Sequence, residues 1–489
     1  MAEKQSLRRS VFTNLIWRFL ERCGAQIVSF IVSIVLARIL LPEQYGTISL
    51  VMVFIVILNV FIDSGMGIAL IQKKDADDLD FSSLFYFNLA MCTVLYCVMF
   101  FLAPVIARFY KIEQLTSVIR VLSLVLVISG VKNIQMAYIS RQLLFKKFFF
   151  ATLGGTVGAA VLGIYMAYRG CGVWSLVAQH LFNSFVDTVI LWFSTNWRPR
   201  LMFSIARIKE LFSFGWKLLV SALLDTGYRN MSQLVIGRMY SPQDLALYNR
   251  GEQFPQVIVQ NINNSIDSVL LPVLSKKQGD RDSVKAMVRR SISMSVFLMA
   301  PLMLGLAAVA DTVVSLLLTE KWMGCVFFLR IFCITYMFYP IHTANLNAIN
   351  ALGRSDIFLK LEIAKKVVGI SVLLASMWFG VRVMACTALA TNIIGMIINS
   401  YPNKKLLGYS FIEQMSDVFP SVISASVMGL TVFFLGCINV PQFPLLLLQI
   451  IFGAGMYIFI SAVVRNESFV YLMGIARGRI KRKTHGERK

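Results

Sequence analysis

The sequence predicts an all-α polytopic membrane protein with about fourteen transmembrane helices. They form two parallel-repeat six-helix lobes followed by a C-terminal helix pair. Three observations carry this prediction. The 489 residues are 57% hydrophobic and only 15% charged, with a mean hydropathy of +0.71; a soluble domain would be about 25% charged. The apolar residues gather into runs long enough to cross a bilayer, which takes about 20 residues each. The basic residues alternate in density from loop to loop. With both termini on one side, about 30 of the 47 Lys and Arg fall in segments on that side and about 8 on the other, the positive-inside asymmetry.

The runs, in order, are 11–40, 46–71, 82–107, 115–138, 148–168 and 172–194 in the first lobe. The second lobe has 212–238, 251–274, 291–310, 326–349, 357–379 and 381–400, and the last pair is 418–438 and 443–464. The first run is too long and too charged for a cleavable signal peptide. The loops are short, so the chain has no room for a soluble catalytic domain. Five segments follow: lobe 1–195, linker 196–211, lobe 212–405, helix pair 406–465 and basic tail 466–489.

The asymmetry places both termini in the cytoplasm. Lys73-Lys74, Arg141 with Lys146-Lys147, the stretch from Arg198 to Lys209 and the run Lys276 to Arg290 all fall inside. The net charge of +22 is thereby explained without nucleic acid as a partner. The basic tail Arg477 to Lys483 is suited to anionic headgroups. The eight cysteines lie in or beside apolar runs without a CxxC pair, and the three histidines are scattered. No metal centre or other cofactor is expected.

The repeat is visible in short motifs. Span 1 ends Ala37-Arg-Ile-Leu-Leu-Pro-Glu-Gln-Tyr45, and span 7 ends Gly237-Arg-Met-Tyr-Ser-Pro-Gln-Asp-Leu245. Asp63-Ser64 of span 2 matches Asp267-Ser268 of span 8, and Arg120 of span 4 matches Arg330 of span 10. The shared order at offsets of roughly 200 to 210 residues marks a duplication. Because each unit has an even number of spans, the repeats are parallel, and binding is expected at their interface near the midplane.

Spans 1 and 7 carry Arg18, Glu21 and Arg22, and Lys217, Asp225 and Arg229. A charge at the bilayer centre costs on the order of 2.5 kcal/mol or more. At helical spacing, polar residues form stripes. These run through Asn14, Arg18, Arg22 and Gln26 in span 1, Lys217, Ser221, Asp225 and Arg229 in span 7, and Gln253, Gln256, Gln260, Asn263 and Asp267 in span 8. Arg18 lies roughly 10 Å past the cytoplasmic end of its span, and guanidinium forks suit phosphate oxygens. Arg18, Arg22, Lys217 and Arg229 are therefore expected to hold an anionic substrate in a shared cavity, with Gln256, Gln260 and Asn263 contacting it. Glu21 and Asp225 are candidates for ion coupling or gating and read also as structural ion-pair partners. Asp63 and Asp267 read equally as sites for a coupling proton or sodium ion and as hydrogen-bonding groups at helix ends. Lys132 and His342 are assigned structural roles.

The stretch Leu36-Ala-Arg-Ile-Leu-Leu-Pro-Glu-Gln-Tyr-Gly46, with Asp63-Ser-Gly-Met-Gly-Ile-Ala-Leu-Ile-Gln-Lys-Lys74 after it, resembles the N-terminal signature of bacterial polysaccharide transporters. So do Arg141-Gln-Leu-Leu-Phe-Lys-Lys147 and Gly237-Arg238 with Leu245-Ala-Leu-Tyr248. This family belongs to the multidrug/oligosaccharidyl-lipid/polysaccharide exporter superfamily, and the likeness is to its lipopolysaccharide, colanic acid and teichuronic acid exporters. The resemblance implies a two-lobed alternating-access flippase of the bacterial cytoplasmic membrane. Its substrate would be an undecaprenyl-pyrophosphate-linked oligosaccharide repeat unit, with membrane lipids and a polysaccharide polymerase as partners. It also implies a central cavity lined by spans 1 and 7, and a groove for the lipid tail at spans 13 and 14. Two alternatives are a cation-coupled multidrug exporter, which would want an acidic or aromatic cavity, and a lipid-linked glycan-processing enzyme, which would need catalytic residues in a large outer loop.

Overall fold

Long apolar runs have one stable solution in lipid, the α-helix, whose backbone polar groups are satisfied within the segment. A computed structural model describes residues 24–62, 66–73, 75–142, 145–277, 279–438 and 440–474, and among them there is no strand. The chain divides into two compact units between Ala246 and Leu247.

The first unit contains α1 (Gly24–Ile39), α2 (Pro42–Ile62), α3 (Met66–Gln72), α4 (Asp78–Tyr110), α5 (Leu115–Leu122), α6 (Leu124–Arg141), α7 (Phe145–Tyr168), α8 (Val173–Ser194) and α9 (Ile205–Met239). It also takes in the start of α10 (Pro242–Ser275). The second contains the rest of α10, α11 (Arg281–Ala308), α12 (Ala310–Leu318), α13 (Cys325–Met337), α14 (Tyr339–Ala351), α15 (Ser355–Ser376), α16 (Val381–Leu407), α17 (Phe411–Leu435) and α18 (Gln442–Val463).

Among the described residues, ten helices are long and apolar enough to cross a membrane, with α5–α6 and α13–α14 each taken as one. The other expected segments are helical too. They are α1, of which only Gly24 onward is described, and α9, α10 and α15, whose charged and amide side chains dilute their apolar content. The helices that fall short are thus largely those with the polar stripes.

The duplication recurs in the backbone. Helices α2 and α10 both start on proline, at Pro42 and Pro242, where the missing N–H costs nothing. Spans 4 and 10 are each two helices, broken at Ser123 and at Phe338, the second break lying two residues before Pro340. The long helices α4 and α11 contain Pro104 and Pro301. Gly172 and Gly380 open α8 and α16 at φ +57° and +104°, a region that L side chains rarely adopt.

Each internal proline leaves the carbonyl four residues earlier without its helical donor. The Phe100 carbonyl, freed by Pro104, accepts from Arg120 Nε at 3.2 Å, and the same guanidinium lies over the Phe100 ring. The Phe297 carbonyl, freed by Pro301, accepts from the buried Tyr457 hydroxyl of α18 at 2.8 Å. The repeat-related Arg330 donates its Nε to the Ala307 carbonyl near the end of α11, also at 3.2 Å.

Small residues allow close helix approach in a membrane. On α7, a Cβ at Gly155 would sit 2.9 Å from Asn183 Oδ1, and one at Gly158 would sit 2.9 Å from the Phe182 ring, both on α8. A Cβ at Gly46 of α2 would overlap the Pro242 carbonyl oxygen at 1.7 Å, and one at Gly237 of α9 would meet Leu50 of α2 at 2.8 Å. Helix α9 also packs on α3 and α4. Its first turns are tied to the α3–α4 turn by Lys73, which bridges Glu210 and the fully buried Asp80 at 3.1 Å each. Burial alone would lower the Lys73 pKa, but these two carboxylates outweigh it and raise the value. Asp77 and Asp80 form a capping box at the start of α4.

Candidate substrate site

The α9 stripe keeps one face. Lys217 and Ser221 are exposed, and Asp225 and Arg229, one turn further on, form an ion pair at 2.8 Å. The pair is accessible, with 70% of the Arg229 side chain and 39% of Asp225 exposed. Exposure changes along the helix: Trp216, Leu218, Val220 and Leu224 of its first part are exposed, whereas Ile236 and Gly237 are buried. The first part of α9 therefore presents a continuous polar stripe bearing two cations and one carboxylate.

The α10 stripe divides. Gln256, Gln260 and Asp267 are exposed. Asn263 is only 6% exposed, and neither its amide nitrogen nor its amide oxygen has a partner among the described residues. Asn264 takes the exposed place instead, because steps of three and four residues lie on either side of the helical period. Asp267 accepts from Asn347 Nδ2 of α14 at 2.7 Å, and Gln253 accepts from Arg250 at 2.7 Å. Arg18, Glu21, Arg22 and Asp63 lie outside the described residues.

The two groups assigned structural roles have partners. Lys132 of α6 pairs with Asp187 of α8 at 2.8 Å. His342 of α14 sits between Asn392 at 3.3 Å and Asn399 at 3.0 Å, both on α16. Sequence reasoning passed over Glu252. Its carboxylate is hydrogen-bonded by the Tyr336 hydroxyl of α13. The signal was present, an acid inside a membrane helix, but it falls at the second residue of the expected span. Among the described residues no group of three or more His, Cys, Asp or Glu could hold a metal ion.

The arrangement can bind and orient. Basic and amide groups line exposed stripes on helices that otherwise belong in hydrocarbon, where ionisable groups are costly to keep.

Comparisons with known proteins agree with a membrane transporter fold. The chain is similar to lipid II flippase MurJ in its inward closed conformation, with a TM-score of 0.74, 13% identity, and 93% of this chain and 99% of that one covered. It is also similar to an inward-facing multidrug resistance MATE family transporter of the MOP superfamily, with a TM-score of 0.62, 13% identity, and 78% and 94% covered. Among curated relatives, teichuronic acid biosynthesis protein TuaB of Bacillus subtilis is 25% identical over 61% of this chain, and the match spans 62% of that protein's length. Succinoglycan biosynthesis transport protein ExoT of Rhizobium meliloti is 24% identical, with 64% of each chain matched. Lipopolysaccharide biosynthesis protein WzxC of Escherichia coli is 24% identical, with 87% of this chain and 89% of that one matched. The profile described as "Polysaccharide biosynthesis protein" matches residues 35–327. This chain is therefore a multi-pass membrane protein that belongs to the Polysaccharide biosynthesis protein family.

Proposed function

We propose that the protein is a flippase of the bacterial cytoplasmic membrane. It moves undecaprenyl-pyrophosphate-linked oligosaccharide repeat units to the outer leaflet by alternating access, delivering them to a polysaccharide polymerase. It is a secondary transporter and carries out no bond chemistry. The observation that carries this reading is the exposed α9 stripe, in which Lys217 and Arg229 hold charge on a membrane helix. Arg18 and Arg22 occupy the matching span of the other repeat. Together these four cations would clamp the pyrophosphate, while the exposed Gln256 and Gln260 contact sugar hydroxyls and the polyprenyl chain stays in lipid; Asn263, expected beside them, is buried. Asp225 and Glu21 would pair with the arginines when the substrate is absent. Asp63 and Asp267 would take the coupling proton or sodium ion. A drug exporter for organic cations fits less well, because the stripe is net basic.

The test is binding of a polyprenyl pyrophosphate to the purified protein, compared with a neutral polyprenyl lipid of equal length. A charge-assisted contact contributes roughly 1.5–3 kcal/mol, so each lost arginine should weaken binding about tenfold or more. Arg→Lys should recover part of it, since the fork is lost but the charge remains. Equal affinity for both lipids, or no loss in the Arg18→Ala/Arg229→Ala double variant, would refute the clamp.

A further inference from the structure

Carboxylates inside membrane helices are retained for a reason, and most here have an evident one. Asp187 meets Lys132, Asp225 meets Arg229 and Glu362 meets Lys365. In α10 the arrangement differs. Glu252 is held by the Tyr336 hydroxyl and Asp267 by the Asn347 amide, both neutral donors. Glu252 is half-buried and has no ion-pair partner among the described residues, so its carboxylate carries a desolvation penalty that protonation removes.

The surroundings of Glu252 extend this contrast. Tyr336, Tyr339 and His342 recur every three residues along α13 and α14. Tyr336 and Tyr339 have ring centroids 6.1 Å apart, and Tyr339 and His342 have theirs 5.8 Å apart. His342 continues to Asn392 and Asn399 of α16. Lys365 of α15 lies close by: a Cβ at Gly395 would be 3.5 Å from His342 Cε1 and 3.6 Å from Lys365 Cδ. On its own helix Glu252 has Tyr248, which meets Phe332 edge-on beside Tyr336, and Arg250, which donates to Gln253 and stacks on Trp322. The α13–α14 rod thus touches both α10 carboxylates, Glu252 through Tyr336 and Asp267 through Asn347. Fifteen helical residues apart, they are roughly 22 Å from each other along α10.

We propose that Glu252 binds and releases a proton during the transport cycle, with the Tyr336–Tyr339–His342 row joining it to Asn392 and Asn399 of α16. The proton adds to a carboxylate oxygen of Glu252 to give the neutral acid, and leaves it to restore the carboxylate held by Tyr336. This rests on the transport reading above and adds a third carboxylate to the two, Asp63 and Asp267, that it assigns to ion coupling.

Two measurements test the proposal on the full-length protein. The first is infrared difference spectroscopy of purified protein between about pH 5 and pH 8. A carboxylic-acid carbonyl band should titrate in the wild type and lose one component in Glu252→Gln. The second is movement of a fluorescent polyprenyl pyrophosphate in liposomes under an imposed pH gradient. The several-fold stimulation expected of the wild type should vanish in Glu252→Gln and persist in Glu252→Asp, and Tyr336→Phe should displace the pH profile. Monodisperse purified variants exclude a folding defect. A full band in Glu252→Gln, or undiminished gradient stimulation, would overturn the proposal. If the lipid does not move in the wild type at any gradient but the band is still lost in Glu252→Gln, the proton site stands and the flippase reading fails.

Discussion

Tyr457 offers a direct test of how the C-terminal helix pair is held. Pro301 has no N–H, so the Phe297 carbonyl of α11 depends on the Tyr457 hydroxyl, which donates at 2.8 Å. Tyr457 and Phe297 are 6% and 7% exposed, so water cannot replace the donor. Tyr457→Phe keeps the ring, whose centroid is 5.2 Å from that of Phe297, and removes only the hydroxyl. Stranding a buried acceptor costs about 1–3 kcal/mol. Pro301→Ala gives the carbonyl back its helical donor, so in that background the Tyr457→Phe cost should fall well below 1 kcal/mol. The double-mutant cycle isolates this coupling. The assay is denaturant unfolding in mixed micelles, read for all four proteins with one probe. A Tyr457→Phe cost that is zero, or unchanged by Pro301→Ala, would refute the account.

Three further outcomes are expected. Gly46→Ala pushes a methyl into backbone at Pro242, which cannot rotate away, so monodisperse protein should fall sharply in detergent extracts. Gly67→Ala, with nothing within 4 Å of its Cβ, should behave as wild type; equal yields for the two would be evidence against the close contact. The Asp80 N–H donated to Asp77 holds its carboxyl below the ordinary value of 3.8. A depressed folded-state pKa adds stability above the unfolded value and loses it as the pH falls through the folded one. Thermal stability should therefore drop below about pH 4, and Asp77→Asn should flatten part of that drop; an identical acid profile would exclude the effect. Reporter fusions at Lys74, Arg207 and Lys489 should score cytoplasmic, and those at Glu43 and Asn439 external. A cytoplasmic score at Asn439 would displace the last helix pair.

The helices and the repeat were legible because their signals are local in the chain. An apolar run declares a span, and Arg38–Pro42 against Arg238–Pro242 declares the duplication. Asp225 and Arg229 are four residues apart, a spacing that brings side chains together on any helix. The break at Phe338 is announced by Pro340, whereas the break at Ser123 has no such residue beside it. What stayed hidden depends on contacts distant in sequence. Glu252 and Tyr336 are 84 residues apart and Lys132 and Asp187 are 55 apart, so no spacing rule joins them. The burial of Asn263 turns on a single step around the α10 helix, finer than an amphipathic pattern resolves.

The polar character of α9 also bears on how the chain enters the membrane. Charged at Lys217, Asp225 and Arg229, this helix is a poor substrate for insertion by hydropathy alone. It is joined to α10 by only Tyr240 and Ser241, so the two helices leave the ribosome in immediate succession. Its packing partners α2, α3 and α4 are all made earlier. When α9 arrives, Leu50 and the Lys73–Asp80 pair are in place to receive Gly237 and Glu210. Synthesis order thus supplies what composition withholds. Without residues 1–204, α9 behind a foreign leader should insert inefficiently, although its sequence is unchanged.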